Sequence, residues 1–129
     1  MTKLEHIEYW TIGAEKNWVA VHALFDKGSY PEALFFAHLV LEKLLKAHWV
    51  QDSVEDYPPR IHNLVRLSEQ TNLNIDVETE TFLGTMNFYQ MEGRYSDHRV
   101  SIYSVATKER TESLLIEVNT LRQWLISKL

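Results

Sequence analysis

The chain contains no cysteine, which excludes disulfides, thiolate nucleophiles and thiolate metal ligands outright. Glycine occurs four times and proline three times, so few positions punctuate the chain and long uninterrupted elements are expected. No apolar run approaches the ~20 residues that span a bilayer. The amino terminus, MTKLEHIEYW, carries acidic residues and lacks the apolar core of a signal peptide; a cytoplasmic location and no membrane partner are the expectation. Positive charge is also scarce, with 13 Lys and Arg against 18 Asp and Glu and a formal charge of -5. That deficit argues against bulk attraction to nucleic acid but leaves room for a local basic patch. At 129 residues the chain is read as a single domain, 1–129.

What is present is helical periodicity. Leu4, Ile7, Trp10, Ala14, Trp18, Val21 and Phe25 step by three or four residues, which predicts a first helix over about 3–26 with one buried face. Gly28 stops it. Tyr30 to Val50, YPEALFFAHLVLEKLLKAHWV, is the most apolar stretch, and Pro31 stands where a missing N–H costs nothing. Its stripe of Ala33, Phe36, Ala37, Val40, Leu41, Leu44 and Leu45 is wide enough for the middle of a bundle. Asp52 to Arg60, with Pro58 and Pro59, is a loop. A short third helix follows from Ile61 or His62 to about Thr71, and Asn72 and Asn74 break it. Asp76 is an N-cap for a fourth helix that carries Phe82, Leu83, Met86 and Tyr89 and ends near Gly93. Charged residues in Arg94 to Val105 interrupt any apolar face, so that segment is left without an element. A last helix over about 107–128 buries Leu114, Val118, Leu121 and Leu125. No stretch alternates as a strand does. The fold class is therefore all-α, an antiparallel bundle of four main helices and one short helix.

Three polar groups stand out against this apolar frame. On the second helix, His38, Glu42, Lys43 and Lys46 must face water, a ligand or a partner, or be paired inside. Glu42 and Lys46 have the spacing of a surface ion pair. His38 and Glu42 have ligand spacing, but no second pair at such spacing accompanies them, so no metal or cofactor is expected. In Tyr57 to Leu64, either Asn63 or His62 caps the short helix, or Arg60 and His62 meet a phosphate there. In Gly93 to Tyr103, GRYSDHRVSIY, two arginines, a histidine and an aspartate converge. They form either local Asp97–Arg ion pairs or an anion site in which Arg94 and Arg99 hold phosphate oxygens. His98 would then serve as a general base, and a continuous helix would set Arg94 and His98 one turn apart.

In order along the chain, these segments resemble the HEPN domain family. Tyr30, Ala33, Phe36, His38, Glu42, Lys43, Leu44, Leu45, Lys46 and Ala47 are similar to its second-helix signature. His62, Asn63 and Leu64 are similar to its His-Asn-Leu segment, and Arg94 and Tyr95 to the Arg-Tyr that opens its last motif. The resemblance implies a HEPN-like helical bundle, commonly a homodimer, with a functional groove between subunits. Many members are metal-independent ribonucleases, often toxins encoded beside a small nucleotidyltransferase. Here only three residues separate Arg94 from His98, fewer than the nuclease spacing requires. Three expectations follow. The first is a dimeric domain that binds RNA, a nucleotide or a nucleotidyltransferase partner in a toxin–antitoxin-type pair, through Arg94, Arg99, His38, His62, Lys43 and Lys46. The second is a ribonuclease using Arg94 and His98, and the third a non-catalytic helical interaction protein.

Overall fold

A computed structural model describes residues 1–129, and every regular element in it is an α-helix: α1 (Lys3–Asp26), α2 (Tyr30–Asp52), α3 (Leu64–Glu69), α4 (Val77–Asn87), α5 (Ser96–Val105) and α6 (Lys108–Ser127). The α1 start is a reciprocal capping box, in which the Thr2 side chain accepts from the Glu5 amide and the Glu5 carboxylate accepts from the Thr2 amide. Gly28, at φ +78°, ends the first turn of the chain in the left-handed region that favours glycine. Pro31 sits in the first turn of α2.

The α2 helix is the axis of the bundle. Leu34, Ala37, Val40, Leu41, Leu44 and Leu45 are fully buried on it, and each large aliphatic side chain so buried contributes about 1.5–3 kcal/mol. Trp18 and Val21 of α1, Leu83 and Met86 of α4, Ile102 of α5, and Val118, Leu121 and Leu125 of α6 join the same core. The His48 ring donates from Nε2 to the Leu125 carbonyl at 2.7 Å, tying α2 to the end of α6. Burial holds the His48 pKa below the usual histidine value. No helix is long and apolar enough to cross a membrane.

Three local features depart from the sequence expectation. Leu4 is 64% exposed, because the face of α1 turned to its neighbours runs through Lys3, which bonds the Val50 and Ser53 carbonyls, and through buried His6, and Leu4 lies off it. The fourth helix ends at Asn87, ahead of Gly93, since the amides of Phe88, Tyr89 and Gln90 donate to the carbonyls three residues back, in tight turns that replace the α-helical bonds. The segment from Ser96 to Val105 is a helix of its own, α5, which buries little beyond Ile102. The bundle thus carries one more helix than the apolar stripes mark out.

Candidate functional site

The polar groups of α2 are paired inside. His38, Glu42 and Lys46 lie one turn apart along one face and are respectively 0%, 5% and 6% exposed. The Glu42 carboxylate accepts from the Lys46 ammonium at 3.0 Å and from Nδ1 of His62 at 3.1 Å. The Glu42–Lys46 pair is therefore a buried bridge and not the surface pair that its spacing suggests. His62 comes from the loop between α2 and α3. It turns its ring back to Glu42 and keeps its other edge open to solvent. The indole of Trp10 closes the other end, with the Lys46 ammonium 5.4 Å from the ring centroid. With Lys46 and His62 both on Glu42, the carboxylate has little left to offer a metal.

His38 is the deepest member. Its Nδ1 stands 3.7 Å from Glu42 Oε1, too far for a hydrogen bond, and neither ring nitrogen completes one. Burial drives its pKa down to about 4, against a partial counter-effect from Glu42. The ring is neutral at physiological pH.

The Leu64 amide is not open to a phosphate. It donates to Oδ1 of Asn87 at 2.9 Å, while the Asn63 side chain accepts from the Arg66 amide as the N-cap. Asn87 Nδ2 in turn donates to Oδ1 of Asn63 at 3.0 Å. One asparagine thus fastens the α3 start to the α4 end. Asn87→Ala leaves a buried amide without an acceptor and is expected to cost about 1–3 kcal/mol, read as a lower urea midpoint with an unchanged m-value.

Beside this junction the Gly93–Arg99 segment meets the end of α4. Gly93, at φ +72°, folds the chain back so that its cations reach the final carbonyls. Arg94 donates from Nε to the Gln90 carbonyl at 3.1 Å and from Nη2 to the Asn87 carbonyl at 3.3 Å. His98 donates from Nε2 to the Phe88 carbonyl at 2.9 Å, and its ring stands edge-on to Phe88. Arg99 donates from Nη2 to the Met91 carbonyl at 3.1 Å. The negative end of the α4 dipole favours cations there. Asp97 pairs with neither arginine, and its carboxylate accepts from the His98 amide. Arg94 precedes Tyr95, the N-cap of α5, so it and His98 share no helix face; the carbonyls of one turn bring them together instead.

Two chemical consequences follow. A guanidinium has five N–H donors, and with two of them anchored, exposed Arg94 holds the remainder in a fixed outward fork. The His98 bond to a carbonyl places a hydrogen on Nε2, which in the neutral ring leaves Nδ1 as the acceptor. The side chains expected from the sequence therefore fall into separate groups. Arg94, His98 and Arg99 cluster at the α4 end, and His38, Lys46 and His62 gather around Glu42. Lys43 lies in a different recess, against α1. Asn87, which joins the first two groups, has no sequence signal beyond its position at the end of an apolar pattern.

The HEPN domain family model matches residues 7–129. No curated protein and no solved structure gives a significant match. The all-helical architecture agrees with a match over nearly the whole chain, and the protein belongs to the HEPN domain family.

Proposed function

We propose that the domain is an RNA-binding module that works as a homodimer and grips the phosphodiester backbone with Arg94 and Arg99. The observation that carries this reading is the anchoring of both guanidinium groups on carbonyls at the end of α4. Donors fixed in this way lose little side-chain freedom on meeting a phosphate, and a planar fork matches two phosphate oxygens. The overall charge of -5 does not prevent it, because exposed charges farther than about 8 Å are largely screened at physiological salt. A nucleotidyltransferase encoded beside this protein would fit the same reading, the partner then covering the cationic turn in a toxin–antitoxin-type pair.

Arg94→Ala is expected to weaken binding of a short single-stranded RNA at least tenfold, measured by fluorescence anisotropy in 50 mM salt, with the helical circular dichroism spectrum unchanged. Equal affinity in the variant ends the proposal. Dimerisation is read independently by sedimentation.

One observation favours a second reading, that of a metal-independent ribonuclease. The Phe88 carbonyl leaves His98 Nδ1 as an acceptor, the state a general base needs to take a 2′-hydroxyl proton, with Arg94 stabilising the charge that develops on phosphorus. Cleavage in the presence of a chelator that disappears in both Arg94→Ala and His98→Ala supports it; cleavage unchanged in either removes it. A non-catalytic interaction protein shows neither RNA binding nor cleavage.

A further inference from the structure

Lys16 and Lys43 stand apart from the other cations of α1 and α2. Lys3 and Lys46 each hold a carboxylate, whereas neither Lys16 nor Lys43 makes an ion pair. Their own helices supply no partner, because the positions three and four away are Ile12, Gly13, Val19 and Ala20 for Lys16, and Leu39, Val40, Lys46 and Ala47 for Lys43. Both line one recess of about 220 Å³ between α1 and α2, walled by Tyr9, Trp10, Ile12 and Gly13.

Gly13 is what makes room for it. Glycine in the interior of a helix is unfavourable relative to alanine, and α1 carries it in mid-length with no kink or turn to serve. A Cβ at this position would stand 3.2 Å from Cδ and 3.4 Å from Nζ of Lys43. The absent side chain is the lane in which Lys43 lies. Partial burial in that lane pulls the Lys43 pKa down, with the Lys46 charge adding to the shift and the Glu42 charge opposing it, so the ammonium is partly desolvated and pairs with no carboxylate. An anion supplies what is missing.

We propose that this recess is an oxyanion site that takes a phosphate group between the ammonium groups of Lys16 and Lys43, with Tyr9 and Trp10 as its aromatic wall. Its volume is below the roughly 300–1,000 Å³ of a pocket for a drug-sized ligand, which suits a phosphate with the edge of a ring and not an enclosed nucleotide. The site is separate from the arginines of the α4 end, and its readout is local to α1 and α2, so its failure leaves the RNA proposal standing.

The test is a titration of the full chain with inorganic phosphate, followed in amide and indole NMR spectra at constant low ionic strength. The Gly13 amide and the Trp10 indole N–H are expected to shift saturably with phosphate and not with matched chloride. Lys43→Met abolishes the saturation, and Gly13→Ala weakens it at least fivefold while leaving the thermal midpoint no lower. Lys16→Met, a change at an exposed position, reports the same loss should Lys43→Met fail to fold. Short oligoribonucleotides with and without a terminal phosphate then identify the source. Saturation only with the terminal group assigns a phosphate monoester, and saturation with both assigns a backbone phosphodiester. A linear response, or equal saturation in the lysine variants, overturns the proposal.

Discussion

Glu42→Gln is expected to lower the unfolding free energy by about 3–5 kcal/mol, the cost of breaking a buried ion pair from one side. The amide keeps the shape of the carboxylate but removes the negative charge on which Lys46 and His62 converge. The Lys46 ammonium, on a residue only 6% exposed, is then left without a counter-charge in a place largely shielded from water. The size of the effect lies in that stranded cation more than in the hydrogen bonds lost. Adding Lys46→Met removes the cation and is expected to recover most of the stability, since a well-packed apolar pair often matches a buried ionic one. Urea unfolding of the wild type, the single variant and the double variant measures both effects. A loss below about 1 kcal/mol, the ceiling for an exposed pair, would mean that Glu42 and Lys46 remain hydrated.

Acid is expected to destabilise the fold well above the carboxylate range. The His38 pKa is held down to about 4 in the native state against the ordinary histidine value of 6.5, so the unfolded chain binds the extra proton between those values. The contribution of the neutral ring is complete above pH 6.5 and is lost as pH falls toward 4. From one such group, stability drops by about 2 kcal/mol between pH 7.5 and 5, and by about 3 kcal/mol by pH 4, at 1.36 kcal/mol per unit. The lowered pKa of His48 acts in the same direction. The groups that face His38 are Glu42, His62 and Asn87; Glu42, the His62 backbone and the Asn87 side chain oppose the shift, and the charge of the His62 ring adds to it. Urea midpoints at pH 7.5, 6 and 5 give the slope, and His38→Leu is expected to flatten it. A wild-type midpoint constant across that range would contradict the neutral burial of His38.

Much of the scaffold was legible because its helices carry unbroken stripes. The first, second and last helices lie where the three-and-four spacing places them, and Asn63 and Asp76 cap as their positions suggest. Helix α5 was not legible, since its buried face is little more than Ile102 while Arg99, Asp97 and His98 occupy the rest of its first turns. Such a helix is held by its neighbours: Tyr103 donates to Glu32 of α2, and His98 and Arg99 bond the α4 end. The state of Glu42 and Lys46 was equally hidden. Four-residue spacing is the same for a surface pair and for a buried one, and only the return of His62 and Trp10 over that face decides between them.

The cationic turn was legible as a cluster but not in its geometry. Sequence brings Arg94, His98 and Arg99 together; it carries no trace of the carbonyls at Asn87, Phe88, Gln90 and Met91 that orient them. Those carbonyls lie at and beyond the last residue of α4, where no α-helical amide follows to take them, and Asn87 itself reaches across to Asn63 and Leu64, contacts more than twenty residues away in the chain.

The most direct measurement of the central claim is the salt dependence of RNA affinity in the wild type and in Arg94→Ala/Arg99→Ala. Each phosphate contact on a single strand contributes about 0.7 to the slope of log K against log salt, so removing both arginines is expected to reduce the magnitude of that slope by about 1.4 for each protomer in contact with the strand. An unchanged slope would contradict the account, because the phosphates would then be held somewhere other than at the end of α4.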